Sequence, residues 1–559
     1  MKKSWLGIAA SALLATSLLL SSCAQGTGDT GATGTEAAAA TENTGASAST
    51  AAAENTEAST QGSAQDKSPI TLDWYINESW FQSPEGNLAH QLIQDQTGIN
   101  VNFIAPVGDP MEKLNAMIAS NTLPDMVTMG WWFAEVQQLS TPDYTYSYNE
   151  LDKMAPGLLD TLDKKVVNWY KSDDGNTYCY PCNSVSPADI DAGLRTNRTF
   201  LVRKDIYQAI GSPDMRTPDG FIKALADAKA KYPTALNGEP LIPIGFAPFT
   251  TIGNTSLEDM LLEFLAVPRE IDGLYYPVVN GNPSPDYISW LKTFRLANEK
   301  GLLSTDIFID DRTQIEEKIQ QGRYFALLYQ AQDALNPIGQ LYKNNPDSCY
   351  IAVDGPANSK LDPPKLSVPG YSGWEVTFVT KNAKNPERAA QLIKWGQTDD
   401  QGQVALYLGQ EGVTYDMVNG KPVIKPEVAD LKNADMGAFK QKYNTYNEYW
   451  MFAKTKNIQV WQPAPVAPFD QYAEWQKGKS TFYGEYDNVA PPADSDEAEI
   501  GTRVNNKWGE VLPKLLQAKT DKEFDTIWQG FDQFKKDNNY EQVLQYNRKK
   551  IVENKAKLQ

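Results

Sequence analysis

Three stretches crowd aromatic and polar side chains together: Asn77-Glu78-Ser79-Trp80, Trp131-Trp132 and Gly370-Tyr371-Ser372-Gly373-Trp374. Flat rings stack on the apolar faces of a ligand, while amide and carboxyl groups pair with its polar rim. The chain carries 14 Trp and 27 Tyr but one histidine, His90, which lies beside Leu88, Gln91 and Leu92 with nothing near it to build a triad. The composition therefore offers stacking more than acid–base chemistry. Cys179-Tyr180-Pro181-Cys182 has the C-x-x-C form, but Asn183, Ser184, Ser186 and Pro187 follow it as a loop. A redox pair needs its first thiol at a helix N-terminus, where the dipole lowers the thiol pKa. A local disulfide or two unpaired thiols are expected instead. A zinc site needs a second cysteine pair or histidines, so no metal and no cofactor are expected.

These clusters need a scaffold. At 559 residues the chain exceeds what one hydrophobic core supports, so two lobes are expected. A net charge of −19 argues against nucleic acid and anionic lipid as partners. Ile70 to Ile76 alternates as a half-buried strand does, and Asn87 to Gln96 reads as a helix closed by Gly98. A second strand, Ile99 to Ile104, precedes a helix from Pro110 with Met111, Leu114, Met117 and Ile118 on one face. Leu123 to Met129 is then a third strand running into Gly130-Trp131-Trp132. This βαβ rhythm predicts an open parallel sheet whose ligands sit beyond the strands' carboxyl ends. Asn77 to Trp80 and Trp131-Trp132 both fall there.

Further along, strands are expected at Phe200, at Tyr324 to Tyr329 and at Glu375 to Thr380, the second running into Gln330, Gln332 and Asp333. Thr217-Pro218-Asp219 starts one helix, and Ile288 to Lys300 forms another with Trp290, Leu291, Phe294 and Ala297 on its apolar face. Trp461 to Pro492 is rich in Pro, Tyr and Trp and reads as loop. From Ile500 the chain is helical, and there is no internal repeat.

At the N-terminus Lys2 and Lys3 precede an apolar run, Leu6 to Leu20, too short to span a bilayer comfortably. Small residues Ser21 and Ser22 then precede Cys23. This pattern resembles the bacterial lipobox, in which the cysteine thiol is acylated and becomes the first residue after cleavage. Residues 1–22 are thus expected as a signal peptide. Residues 24–68 contain almost nothing apolar larger than alanine and cannot offset the entropy of ordering. A disordered leash with a reach of about 40 Å is expected.

Several later stretches carry a further resemblance, in order and spacing as well as in type. They are Leu123-Pro124-Asp125-Met126-Val127, Gly175-Asn176-Thr177-Tyr178 through Pro181, and Leu201-Val202-Arg203-Lys204-Asp205. Gly322-Arg323-Tyr324-Phe325-Ala326, Lys384-Asn385-Pro386-Glu387-Arg388-Ala389 and Gly409 through Tyr415 follow. From about residue 69 onward the chain resembles extracellular solute-binding protein family 1, the large sugar-type substrate-binding lipoproteins of Gram-positive ABC importers.

The resemblance implies a two-lobed, periplasmic-binding-protein-like α/β fold of type II. Each lobe is an open sheet flanked by helices, with the ligand cleft between them. The first lobe would take residues 69–185 and 369–428, and the second 186–368 and 429–559. The resemblance also implies a monomer without catalytic activity, held through lipidated Cys23 on the extracellular face of the cytoplasmic membrane. It would capture an oligosaccharide or related glycan and deliver it to ABC permease subunits on cleft closure. Some relatives carry an EF-hand-like calcium loop where this chain has Tyr232 to Glu239, which lacks the repeated Asp such a loop needs.

A sugar presents C–H faces and rims of hydroxyls, which aromatic rings and polar side chains cover respectively. Trp131, Trp132, Trp374 and Tyr371 are the stacking candidates; Asn77, Glu78 and Trp80 are expected contacts beside them. Tyr329, Gln330 and Asp333, at the end of a second-lobe strand, border the same cleft. Asp125 is expected to bond backbone. Two other classes stay open: a surface polysaccharide-degrading enzyme with two carboxylates across its cleft, and a receptor for a peptide or other solute. No G-x-x-x-x-G-K-[ST] occurs, so energy for import would come from separate ATPase subunits.

Overall fold

The computed structural model describes residues 66–271, 274–275, 280–445, 450–461, 465–492 and 495–558. The signal segment, Cys23 and the linker up to residue 65 lie outside the described residues. The strands of the two larger sheets are β1 (Ile70–Ile76), β2 (Ile99–Ile104), β3 (Met126–Gly130), β4 (Tyr180–Pro181), β5 (Arg198–Arg203), β6 (Ile242–Gly245), β7 (Tyr324–Gln330), β8 (Tyr350–Ala352) and β9 (Glu375–Val379). The first sheet has the order β2-β1-β3-β9-β4 and the second β8-β5-β7-β6. In the first, β1 is parallel to β2 and β3, while β9 runs antiparallel to both β3 and β4. In the second, β5 is antiparallel to β8 and β7, and β6 is parallel to β7.

Alternation along β1 sends Leu72, Trp74 and Ile76 into one core with Ala89 and Ile93, and Tyr75 into another with Leu114 and Ile118. Both faces of the strand are therefore covered. The helix Leu88–Thr97 begins where the Asn87 side chain accepts from the His90 N–H at 3.0 Å. It ends at Gly98, whose φ of 73° and whose Cβ position, 2.2 Å from the Lys67 carbonyl oxygen, both exclude a side chain. In the second sheet β7 is buried from Tyr324 to Tyr329. Ala326 and Leu328 join the core that holds Phe221, Trp290, Trp508 and Leu512, and Leu327 and Tyr329 join the one that holds Ile338, Leu341 and Tyr472.

The segments that pass between the sheets are bonded to one another. Ser480–Thr481 pairs in parallel with Leu366–Ser367. The Val185 N–H donates to Gly370 at 3.0 Å, and the Thr196 hydroxyl donates to the Ser367 carbonyl at 2.8 Å. Gln476 donates to Thr196 at 2.6 Å and Ser480 to Leu194 at 2.9 Å, both onto carbonyls.

The residues after 428 do not all join the second sheet. Phe439 and Tyr443 cluster with Val428 and Leu88, and Met451, Phe452 and Ala453 enter the first core. The Phe452 ring lies 5.2 Å from that of Trp74. Only from Phe469 does the chain return to the second sheet. An apolar face shows in the sequence; which of two cores it covers does not. The stretch expected as loop from Trp461 also holds a short helix, Phe469–Trp475.

Of the two outcomes open for the C-x-x-C, the structure has unpaired buried thiols. Cys179 packs in the core beside Tyr75 and Cys182 in the core beside Trp74. Three residues apart on an extended chain, they face opposite sides of the sheet. Burial pushes both thiols well above the usual range. No helix among the described residues is long and apolar enough to cross a membrane.

Asp125 clamps the first sheet. Its carboxylate accepts from the Asp73 N–H and the Lys384 N–H, each at 2.8 Å, and it is 4% exposed. Asp125→Ala strands both donors and should cost about 2–4 kcal/mol in denaturant unfolding, with Asp125→Asn losing about half as much. A loss under about 0.5 kcal/mol, the range of ordinary surface changes, would contradict the clamp.

Candidate functional site

β1 and β3 end side by side, and β9, running the other way, begins where they end. Gly130 faces Glu375 in the ladder. The Asn77 N–H donates to the Thr128 carbonyl at 2.9 Å, and the Trp131 N–H to the Trp374 carbonyl at 3.4 Å. Segments distant in sequence thus deliver Asn77, Glu78, Trp80, Trp131, Trp132 and Trp374 to one sheet edge.

The Trp80 and Trp374 rings are parallel, with centroids 6.2 Å apart and planes within 4°. Trp131 and Trp132 meet edge to face at 6.0 Å and 81°. Trp80 and Trp132 are each 45% exposed, so both keep ring surface open to a ligand. Gly130 makes this arrangement possible, because a Cβ there would lie 2.4 Å from the Trp132 ring. Asn77 is nearly enclosed: it accepts from the Tyr75 hydroxyl at 3.0 Å and donates to Met111 Sδ at 3.1 Å. Tyr371 packs away from the edge, its ring beside those of Trp169 and Phe482. At 6% exposure it offers little face for stacking.

Two carboxyls lie under these rings. Glu375 is fully enclosed, and neither of its oxygens reaches a partner at standard hydrogen-bond geometry. Burial holds its pKa well above the carboxylate range, and the neighbouring Glu78 adds to the rise. Glu78 is half-buried and is raised by burial too, with Glu375, the Trp80 indole and Arg312 each partly offsetting the rise. The Trp80 indole therefore bonds the Glu78 carboxyl while its ring lies parallel to Trp374. Glu78 and Glu375 stand side by side on one edge, not opposed across a gap as an acid and a nucleophile or base are.

At the edge of the second sheet, Tyr329 is buried and Gln330 accepts from the Asn197 amide at 2.8 Å. Asp333 pairs with Arg312 at 3.3 Å, and Arg312 also meets Glu316 at 2.7 Å. Burial raises the Asp333 carboxyl despite Arg312, and it raises the Tyr329 phenol, with the Asp333 charge adding to it. Arg312 also acts on Glu78, lowering its carboxyl slightly against the larger effect of burial. Among the described residues no group of three or more His, Cys, Asp or Glu side chains converges as a metal site would.

Glu375 and Arg312 were not among the candidates drawn from the sequence. Glu375 left a trace, since a carboxyl opens the otherwise apolar strand Glu375–Val379 directly after Gly373-Trp374. Arg312 left none, because its partner Asp333 lies beyond an intervening helix and strand.

The enclosed Glu375 carboxyl yields a pH test. Its pKa is higher folded than unfolded, so the folded state holds an extra proton from the unfolded value, about 4.3, up to the raised one. Stability therefore falls as pH rises through that window, by at most about 1.4 kcal/mol per pH unit. Glu375→Gln removes this contribution, while Glu258, raised to about 8 by burial, acts equally in both proteins. Denaturant unfolding at about pH 5 and about pH 8 should show the variant gaining on the parent at the higher pH. A gap independent of pH would contradict it.

No protein-family profile matches the chain. It is 25% identical over 242 residues to the fructooligosaccharide ABC transporter substrate-binding protein FusA of Streptococcus pneumoniae. That match covers 41% of this chain and 44% of the other, so it spans less than half the length of this curated relative. Among solved structures, the HMO-binding, ABC-transporter-associated solute-binding protein of Bifidobacterium longum infantis superposes with a TM-score of 0.63 at 15% identity, covering 87% of this chain and 99% of its own. S. pneumoniae FusA in complex with kestose gives 0.61 at 18%, covering 87% and 100%. The alginate-binding protein AlgQ2 gives 0.60 at 18%, covering 87% and 99%. Similarity over nearly the whole length of these proteins, with the two sheets and their crossovers, shows that the chain has the two-lobed, periplasmic-binding-protein-like α/β fold.

Proposed function

We propose that this protein is the substrate-binding component of an ABC importer and captures an oligosaccharide or related glycan between its two sheets. The observation that carries this is the row of indoles at the first sheet's edge, bordered by carboxyl and amide groups on both sheets. Sugar C–H faces would lie on Trp80, Trp132 or Trp374, and hydroxyls would pair with Glu78, Gln330 or Asp333. Support comes from the names of the similar proteins, which bind fructooligosaccharide, kestose or HMO. The lobes would comprise residues 69–185 with 369–461, and 186–368 with 465–558. A ligand held better by the closed than the open arrangement would shift the population to closed, the form offered to permease subunits. The protein would act as a monomer, not as an enzyme.

Isothermal titration and thermal unfolding with a panel of neutral oligosaccharides test this. A binder at about 100 times its Kd should stabilise the protein by about 2.7 kcal/mol. Trp374→Ala should weaken that binder about tenfold or more. Silence across fructo-, milk-type and N-glycan oligosaccharides would contradict the assignment.

The lipobox resemblance at Cys23 supports an anchored form on the extracellular face of the membrane. Two acyl chains would retain it stably, and the leash would keep it near the permease at high effective concentration. Cys23→Ala should move the protein from the membrane fraction to the medium with glycan binding intact. Retention of the variant in the membrane fraction would contradict the anchor.

A further inference from the structure

We propose that the Glu78–Glu375 carboxyl pair makes this site selective for uncharged glycans and turns away glycans that carry carboxylates. The proposal rests on the glycan-binding function above and names the ligand class within it.

Three observations carry it. Glu375 is fully enclosed at the ligand edge, and its carboxyl has no partner at standard geometry, only the Glu78 carboxyl acting on it, an arrangement native proteins seldom leave without a use. Its carboxyl neighbour Glu78 is half-buried and lies two residues before Trp80, whose ring is 45% exposed. Glu78 is also bonded to the Trp80 indole, whose ring lies parallel to Trp374. The stacking plane and the carboxyls are therefore one unit, and a sugar on the indole places its rim hydroxyls beside Glu78.

Arg312, the cation that acts on Glu78, is 55% exposed and already shared between two carboxylates of the protein. Arg312 is held by Glu316 at 2.7 Å and Asp333 at 3.3 Å. Arg198 is held by Asp259 at 3.6 Å and Glu263 at 3.4 Å, and Arg269 by Glu263 at 3.0 Å. Just past β4, the Cys182 thiol neighbours Glu375, and burial pushes that thiol well above its usual range. A hydroxyl both donates to and accepts from carboxyls, so it suits the pair in any protonation state. A ligand carboxylate would add a like charge at short range in a partly desolvated site.

The test uses a neutral oligosaccharide that binds in the panel and the same oligosaccharide with its primary hydroxyls oxidised to carboxylates. By isothermal titration at neutral pH, the oxidised form should bind the parent protein at least about tenfold more weakly. Glu78→Gln keeps an acceptor for the Trp80 indole while removing the charge, and Glu78→Ala removes both. Each should narrow the ratio of the two affinities, with unfolding curves confirming that the variants fold. If one variant does not fold, the parent ratio and the other variant decide. Equal affinities in the parent would overturn the selectivity while leaving glycan binding standing. A ratio unchanged in every folded variant would overturn its assignment to this pair. Failure of the neutral glycan to bind at all would overturn the function and the selectivity together.

Discussion

The insertion of β9, antiparallel, between β3 and β4 is the constraint on which the site depends. It brings Thr377 beside Thr128, whose hydroxyls meet at 2.8 Å, and Thr128 in turn accepts from the Trp74 indole at 2.9 Å. The Tyr148 hydroxyl donates to the Thr377 carbonyl at 3.0 Å. These buried bonds tie the returning strand to its neighbours and fix its register. Because β9 runs against β3, its first residues, not its last, reach the ligand edge. A parallel β9 would put Val379 there and bury Glu375 at the far side. Direction alone thus decides that an indole and a carboxyl meet the ends of β1 and β3.

A second network joins the second sheet to the crossover segments. Glu263, almost fully buried, accepts from the Ser367 N–H at 2.9 Å and pairs with Arg198 and Arg269. The Arg269 guanidinium lies 4.7 Å from the centre of the Tyr483 ring. A buried carboxylate is tolerable when it is matched in this way, and removing either partner would leave a costly charge behind. Arg198 opens β5, while Ser367 and Tyr483 belong to the crossover segments. The second sheet and the crossovers therefore hold together as one body.

Much of the architecture was legible because local physics repeats along the chain. Asn87 and Gly98 mark the ends of a helix, and the alternation in Ile70 to Ile76 marks a strand, which it reads as half-buried where the structure covers both faces. The parallel arrangement of β1, β2 and β3 followed from their order with helices, and with it the position of Asn77 to Trp80 and Trp131-Trp132 at one edge. Three things were not legible. The partner of Phe452 is Trp74, and nothing in an apolar face names the core it will cover. Tyr371 lies close to Trp374 in the chain, yet a tight turn at Gly373, with φ of 69°, sends the two apart. Glu375 drew no notice because a carboxyl at the start of a buried strand is costly, and cost is visible only once the surroundings are known.

The central claim is that a glycan lies on the indoles beside Glu78, and a crystal structure with a bound neutral oligosaccharide measures it most directly. The account predicts a sugar ring with its C–H face within about 4 Å of Trp374, Trp80 or Trp132, the ordinary contact distance, and a hydroxyl within hydrogen-bond reach of the Glu78 carboxyl. A ligand bound elsewhere on the molecule, with these indoles untouched, would contradict it.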